Sequence, residues 1–233
     1  MSKRQELREK HKKQQKQQRS IIIIMVVVGA ILIAGALILP NLKPIGTIAQ
    51  ITPRVFNVPV NLTTIGNANA PVKVDVWEDF QCPACQKYSQ QIETEIITKY
   101  VETGKVFYTF HQFPFIDSQV TTKESQQAAN ASMCAAAQGR FWDYHDIVFA
   151  NWDGENLGAY SDKRLIAFAK TLNLNMTEFT SCFNKDQFQT EIEKDYTDGV
   201  NRGVTGTPTI FENGVQTTIE NLFPAIDSAV SGK

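Results

Sequence analysis

The chain has 233 residues, 42% of them hydrophobic, which is enough for one core-bearing domain plus an appendage. Its formal net charge of −1 hides a segregation: Met1 to Ser20 carries eight Lys/Arg against two Glu, leaving 15 basic and 22 acidic residues downstream. A mildly acidic body argues against nucleic acid as a partner, because phosphate binding needs a basic face on the folded domain.

Residues 1–20 form a basic tail, rich in Lys, Gln and Arg, that is given no catalytic role. The next 19 residues, Ile21 to Leu39, hold no charge and would span roughly 28 Å as a helix, enough to cross a bilayer. They are predicted to be a retained transmembrane anchor. The positive-inside rule then holds the tail in the cytoplasm and puts everything after Pro40 outside. A cleaved signal peptide is the competing reading, with Ala34-Gly35-Ala36 as its one weak cleavage site. Asn41 to Asn69 holds several Pro, Asn and Gly residues and an alternating stretch at Arg54 to Val60, so residues 40–64 are read as a spacer leading into a possible edge strand.

The domain proper is expected over 65–233. Val72 to Trp77 is rich in β-formers and runs through Glu78-Asp79-Phe80-Gln81 into Cys82-Pro83-Ala84-Cys85 and a helix-compatible stretch to about Glu102. Gly104 ends that helix, and Lys105 to Gln112 reads as a second strand, giving a β-α-β unit with a parallel pair. Residues from about 117 to 202 read as helical: Thr121 to Gln138 with alanines at helical spacing, an aromatic segment at Phe141-Trp142-Asp143-Tyr144-His145, then stretches over 162–172, 176–183 and 186–201. Strand character returns at Thr207 to Phe211. Asn213-Gly214 marks a hairpin turn into Val215 to Ile219, and a closing helix starts from about Leu222.

Four cysteines, an even number, suit a compartment where disulfides persist. A zinc site would need a second ligand pair at short spacing, and none is visible, so no metal is expected. Cys82, placed just before a helix whose first residue is Pro83, would face that helix's unpaired N–H groups and positive dipole end, which favour a thiolate. Cys85 lies about one turn further on the same face, close enough to form a disulfide with Cys82 and to resolve a mixed disulfide. Cys82 is therefore read as the nucleophile and Cys85 as the resolver. An inert staple is the bland alternative, although so short a loop constrains the unfolded chain little. Cys134 and Cys182 fall in apolar helical surroundings that suit a structural disulfide, with two buried thiols or a second redox pair as alternatives.

Phe80-Gln81-Cys82-Pro83-Ala84-Cys85, the helical insertion and the downstream Gly206-Thr207-Pro208-Thr209 together resemble the DsbA-like branch of the thioredoxin superfamily, over about Ile65 to Gly232. The resemblance implies an α/β thioredoxin-like fold with a long helical insertion. It also implies a cis-proline loop at Thr207 and Pro208 packed against the redox pair, where an extended substrate segment could add as a strand. It implies disulfide formation in exported proteins carrying free thiols, no bound cofactor, and a quinone-linked membrane reoxidant of the DsbB or vitamin K epoxide reductase type.

Two departures limit the likeness. Ala84 stands where strongly oxidising members carry histidine, so a milder oxidant is expected. Val76 stands six residues before Cys82, where thioredoxins often carry a buried acid. Glu78 and Asp79 are possible substitutes, but both are read as solvated loop carboxylates and left out of the catalytic set. His111 and His145 receive no catalytic role, and the aromatic cluster around His145 is assigned to core packing rather than to a substrate groove. A reductase or isomerase on the same scaffold is the nearest rival, and a non-catalytic client-binding module or chaperone is the rival of another class.

Overall fold

A computed structural model of the protein describes residues 3–38, 45–119 and 121–231. Leu39, the last residue of the expected span, and residues 40–44 of the expected spacer lie outside the described residues. Helix α1 (Lys3–Ile38) is unbroken over 36 residues. Its stretch Gln14–Ala36 is long and apolar enough to cross a membrane, and none of it is buried against protein. The side chains from Ile21 to Val28 and from Ile31 to Ile33 stand exposed, an arrangement suited to lipid rather than water.

A second compact unit begins at Thr47. Residues 47–58 have no regular secondary structure, although the alternation at Arg54–Val60 suggested a strand. Pro53 and Pro59 withhold ladder donors there, and only β1 (Val60–Asn61) pairs. The segment is nonetheless attached to the body. Ile48, Ile51, Phe56 and Val58 pack on the main core. Asn151 clasps the backbone of Ala49, accepting its N–H at 2.8 Å and donating to its C=O at 3.0 Å.

The body is built on a six-stranded sheet. After β1 come β2 (Thr64–Ile65), β3 (Val72–Glu78), β4 (Val106–Gln112), β5 (Thr209–Glu212) and β6 (Val215–Thr217), ordered β1-β2-β4-β3-β5-β6. Strand β3 is central. It pairs parallel with β4 from Val72↔Val106 to Glu78↔Gln112 and antiparallel with β5 from Val74↔Glu212 to Trp77↔Thr209. The parallel pair needs a crossover, supplied by a helical run over 83–101. In that run α2 (Pro83–Tyr88) and α3 (Thr94–Ile96) alternate with π turns Ser89–Glu93 and Ile97–Val101.

Five helices separate β4 from β5: α4 (Glu124–Ala136), α5 (Phe141–Ala150), α6 (Asp162–Thr171), α7 (Met176–Asn184) and α8 (Gln189–Asn201). Ala128, Ala131 and Ala135 of α4 are fully buried, their small side chains giving the neighbouring helices close approach. The aromatic segment is core: Phe141, Trp142 and Tyr144 pack in one cluster with Phe80, Phe110 and Phe149. Each such buried aromatic contributes about 1.5–3 kcal/mol over its exposed state. Strand β5 starts at Thr209, two residues after the expected Thr207, because Pro208 has no N–H to enter the ladder. The closing helix α9 (Ile219–Ser231) starts earlier than Leu222.

Candidate active site

Strand β3 delivers the site. Its last residue, Glu78, leads into a loop that Asp79 organises. The carboxylate of Asp79 accepts the N–H of Gln81 at 2.8 Å, the Ser125 hydroxyl at 2.7 Å and the N–H of Ile116 at 3.0 Å. The Gln81 amide donates to Ser125 at 2.9 Å and to Asp117 at 3.0 Å, while its oxygen accepts the N–H of Asn156 at 2.6 Å. The Trp152 indole donates to the Gln81 carbonyl at 2.6 Å. The residue preceding the first cysteine is thus held from α4 and from the loop after α5.

Cys82 occupies the N-cap of α2 in an extended conformation, with Pro83 at the first helical position. Its thiol lies 3.2 Å from the Thr207 carbonyl, to which it donates. The Thr207–Pro208 bond is cis. The structure therefore brings Cys82, Cys85, Thr207 and Pro208 together. The Cys82 thiol is drawn down to about 6, chiefly by a hydrogen bond from Cys85; burial opposes this, and the Thr207 side chain and the N–H groups of Cys85 and Ala84 add to the lowering. Cys85 is wholly buried, and burial, the bond to Cys82 and the charge of Glu78 push its thiol well above the usual range. One sulfur is set up as a thiolate and the other as its proton-holding neighbour.

Cys134 and Cys182 lie elsewhere, bridged as a disulfide between α4 and α7 with Cα atoms 5.8 Å apart.

Glu78 and Asp79 are not solvated: their exposures are 0% and 1%. They end a buried central strand and enter a loop roofed by helices, so neither reaches water. Burial raises Asp79 to about 7 against the hydrogen bonds from Ser125, Ile116 and Gln81. Glu78 is raised well above the carboxylate range by burial, then by the charges of Glu93 and Cys82, while the neighbouring Cys85 thiol opposes the rise. Behind it lie Glu93 and His145, both also at 0% exposure. Arg54, from the irregular 47–58 segment, donates to Glu93 at 3.1 Å and to Asp146 at 2.8 Å and 2.5 Å. The set does not fit a closed zinc site, which takes four donors, because Arg54 already engages Glu93 and, among the described residues, Glu78, Glu93 and His145 converge without a fourth ligand.

Glu93 and Arg54 escaped the sequence reading. The signal for Glu93 was its place on the inward face of the helical run, between Tyr88 and Ile96, where an acid needs a partner. Arg54 gave a weaker one, a lone cation in an apolar alternation.

A low-pKa thiolate beside a buried thiol can exchange disulfides, and the chain is similar in sequence and shape to proteins named for disulfide chemistry. A protein of Rickettsia prowazekii (strain Madrid E) named as a protein-disulfide oxidoreductase is 29% identical over 199 residues, 82% of this chain and 67% of that one. The chain spans 62–67% of the length of four curated relatives, all from Rickettsia. Among solved structures, oxidised BdbD from Bacillus subtilis superposes with a TM-score of 0.65 at 22% identity, covering 73% of this chain and 93% of that one. The alpha-DsbA1 of Wolbachia pipientis gives 0.63 at 23% identity, covering 76% and 94%. Both solved structures share the fold of this chain. A family model described as thioredoxin matches residues 60–230, and the chain belongs to the thioredoxin family.

Proposed function

We propose that this chain forms disulfides in exported proteins through Cys82 and Cys85, on the outer face of a membrane crossed by residues 21–39. The observation that carries this reading is the Cys82 thiol at about 6, seated at a helix start against Thr207, beside the buried Cys85. Stabilising the reduced thiolate makes the disulfide an oxidant. A value of about 6 falls between thioredoxin at about 7 and DsbA at about 3.5, as expected of an oxidant lacking the histidine that Ala84 replaces.

In the proposed cycle a substrate thiolate attacks Cys82 Sγ of the oxidised pair, and Cys85 leaves. The second substrate thiolate then attacks the mixed disulfide. The substrate departs oxidised and the pair is left reduced. The Thr207–Pro208 loop offers backbone to an extended client segment, and the Cys134–Cys182 bridge serves as a structural tie. Reoxidation falls to a quinone-linked membrane enzyme of the DsbB or vitamin K epoxide reductase type, and anchoring in the same bilayer raises the effective concentration of the two. Equilibrating the Cys82–Cys85 couple with glutathione buffers tests the direction. A potential well above that of thioredoxin, about −270 mV, is expected, and one at or below it transfers the reading to a reductase.

A further inference from the structure

We infer that Cys85 exchanges its proton with solvent through the rear of the domain, along Glu78, Glu93, His145 and Asp146. The inference rests on the reading of Cys85 as the resolving thiol. In each half of a redox cycle that sulfur must gain or lose a proton, yet it is fully buried, and so is Glu78 beside it. Water is reached only further on. Glu93 Oε2 lies 3.3 Å from His145 Nε2, and His145 Nδ1 lies 2.9 Å from Asp146 Oδ1. The Asp146 side chain is 19% exposed and is the first group of the series open to solvent.

The geometry argues for proton carriage rather than packing. Neither oxygen of Glu78 has a hydrogen-bond partner, and Glu93 Oε2 and His145 Nε2, though 3.3 Å apart, make no hydrogen bond; one ligating atom from each of the three residues lies within 4.8 Å of the others. Buried polar groups that serve only to hold a core are paired. Three that converge without hydrogen bonds leave places for a shared proton, and an imidazole can take one at one ring nitrogen and release it at the other. Phe80, Phe110, Phe141, Trp142 and Phe149 ring His145 and close the sides of the route. Arg54 is a positioning residue: it holds one oxygen of Glu93 and both of Asp146, turning the remaining Glu93 oxygen toward His145. The ionisable groups facing Glu78 are Glu93, Cys82, Cys85, Tyr88 and Tyr108, and those facing His145 are Glu93 and Asp146.

When a substrate thiolate attacks Cys82, the Cys82–Cys85 bond breaks and Cys85 leaves with the electron pair. It takes the proton of Glu78, which is refilled in turn from Glu93, His145, Asp146 and water. Attack by Cys85 on a mixed disulfide runs the route outward.

That second step can be isolated. The full chain in detergent, with Cys82 carrying thionitrobenzoate as a mixed disulfide, releases the coloured thiolate when Cys85 attacks. As the Cys82–Cys85 bond forms, the Cys85 proton leaves through Glu78. His145→Phe and Asp146→Asn, each of which removes a proton carrier, are expected to slow release at least about tenfold near neutral pH and to displace the pH–rate profile upward. The pH midpoint of Cys82 alkylation, read in the same variants with Cys85→Ala added, should stay where Cys85→Ala alone puts it. Wild-type rate and profile in both variants overturn the route, and if His145→Phe fails to fold, Asp146→Asn decides. A wild-type mixed disulfide that never releases its thiolate removes Cys85 as resolver, a separate failure seen before any variant is made.

Discussion

The protein holds two pairs of cysteines, and their surroundings separate them more than their spacing does. Cys82 sits at a helix start, hydrogen-bonded by a neighbouring thiol and two backbone N–H groups, with a buried acid behind it. Cys134 and Cys182 lie 48 residues apart on α4 and α7, among apolar side chains, and are joined to each other. The first pair has groups that stabilise a thiolate and a buried acid nearby. The second has only packing. A cysteine's chemistry is thus fixed by the donors and charges around it.

The comparison breaks most sharply under substitution. Cys82→Ser should abolish disulfide exchange with a dithiol peptide, whereas Cys134→Ala with Cys182→Ala should leave the rate within about twofold, because a thiolate is the nucleophile at one site and absent from the other. The double variant should instead lose about 2–4 kcal/mol of stability in denaturant titration, through the long loop it reopens. A double variant that folds as stably as the parent but loses activity would reverse the two assignments.

Titration sharpens the contrast. The rate of Cys82 alkylation should rise with pH around a midpoint near 6, and Cys85→Ala should move that midpoint upward, since it removes the hydrogen bond that lowers it most. No movement would place the cause in the helix start alone. The smallest effect is expected away from both pairs, at His111. Burial opposes its protonation, but hydrogen bonds to Asp195 and Asp75 raise it from 6.5 to about 9. Its contribution to stability is full below 6.5 and fades as pH climbs through 9, so the unfolding midpoint should fall over that window and His111→Gln should flatten the fall.

Much of this was legible because the motifs are local. A β-rich run, Cys-Pro-Ala-Cys and a helix-forming stretch specify strand, turn and helix within some thirty residues, and Gly206-Thr207-Pro208 supplies the loop that faces them. The environment of Glu78 was not legible, because it is assembled from distant places: Glu93 on the crossover helix and His145 on α5 lie beside it, and Arg54 before the sheet holds Glu93. An acid next to a loop looks solvated until the tertiary fold shows what roofs it. Residues 47–58 misled for a related reason. Their alternation reflects apolar side chains docking on the core, with Pro53 and Pro59 excluding the ladder that alternation normally signals.

The hydrogen bonds that converge on Asp79, Gln81 and Glu124 bear on how the scaffold can be shortened. Apart from the Gln81 N–H on Asp79, their partners include the hydroxyl of Ser125 and backbone or side-chain groups of Ile116, Asp117, Asn156, Gly158 and Tyr160, which belong to the helical segment between β4 and β5. Excising that segment to leave a minimal sheet-and-helix oxidoreductase would strip Asp79 and Gln81 of these partners and unfasten the loop that aims Cys82. The helices brace the loop that carries Cys82, and an engineer seeking a smaller protein would have to rebuild that brace from new side chains.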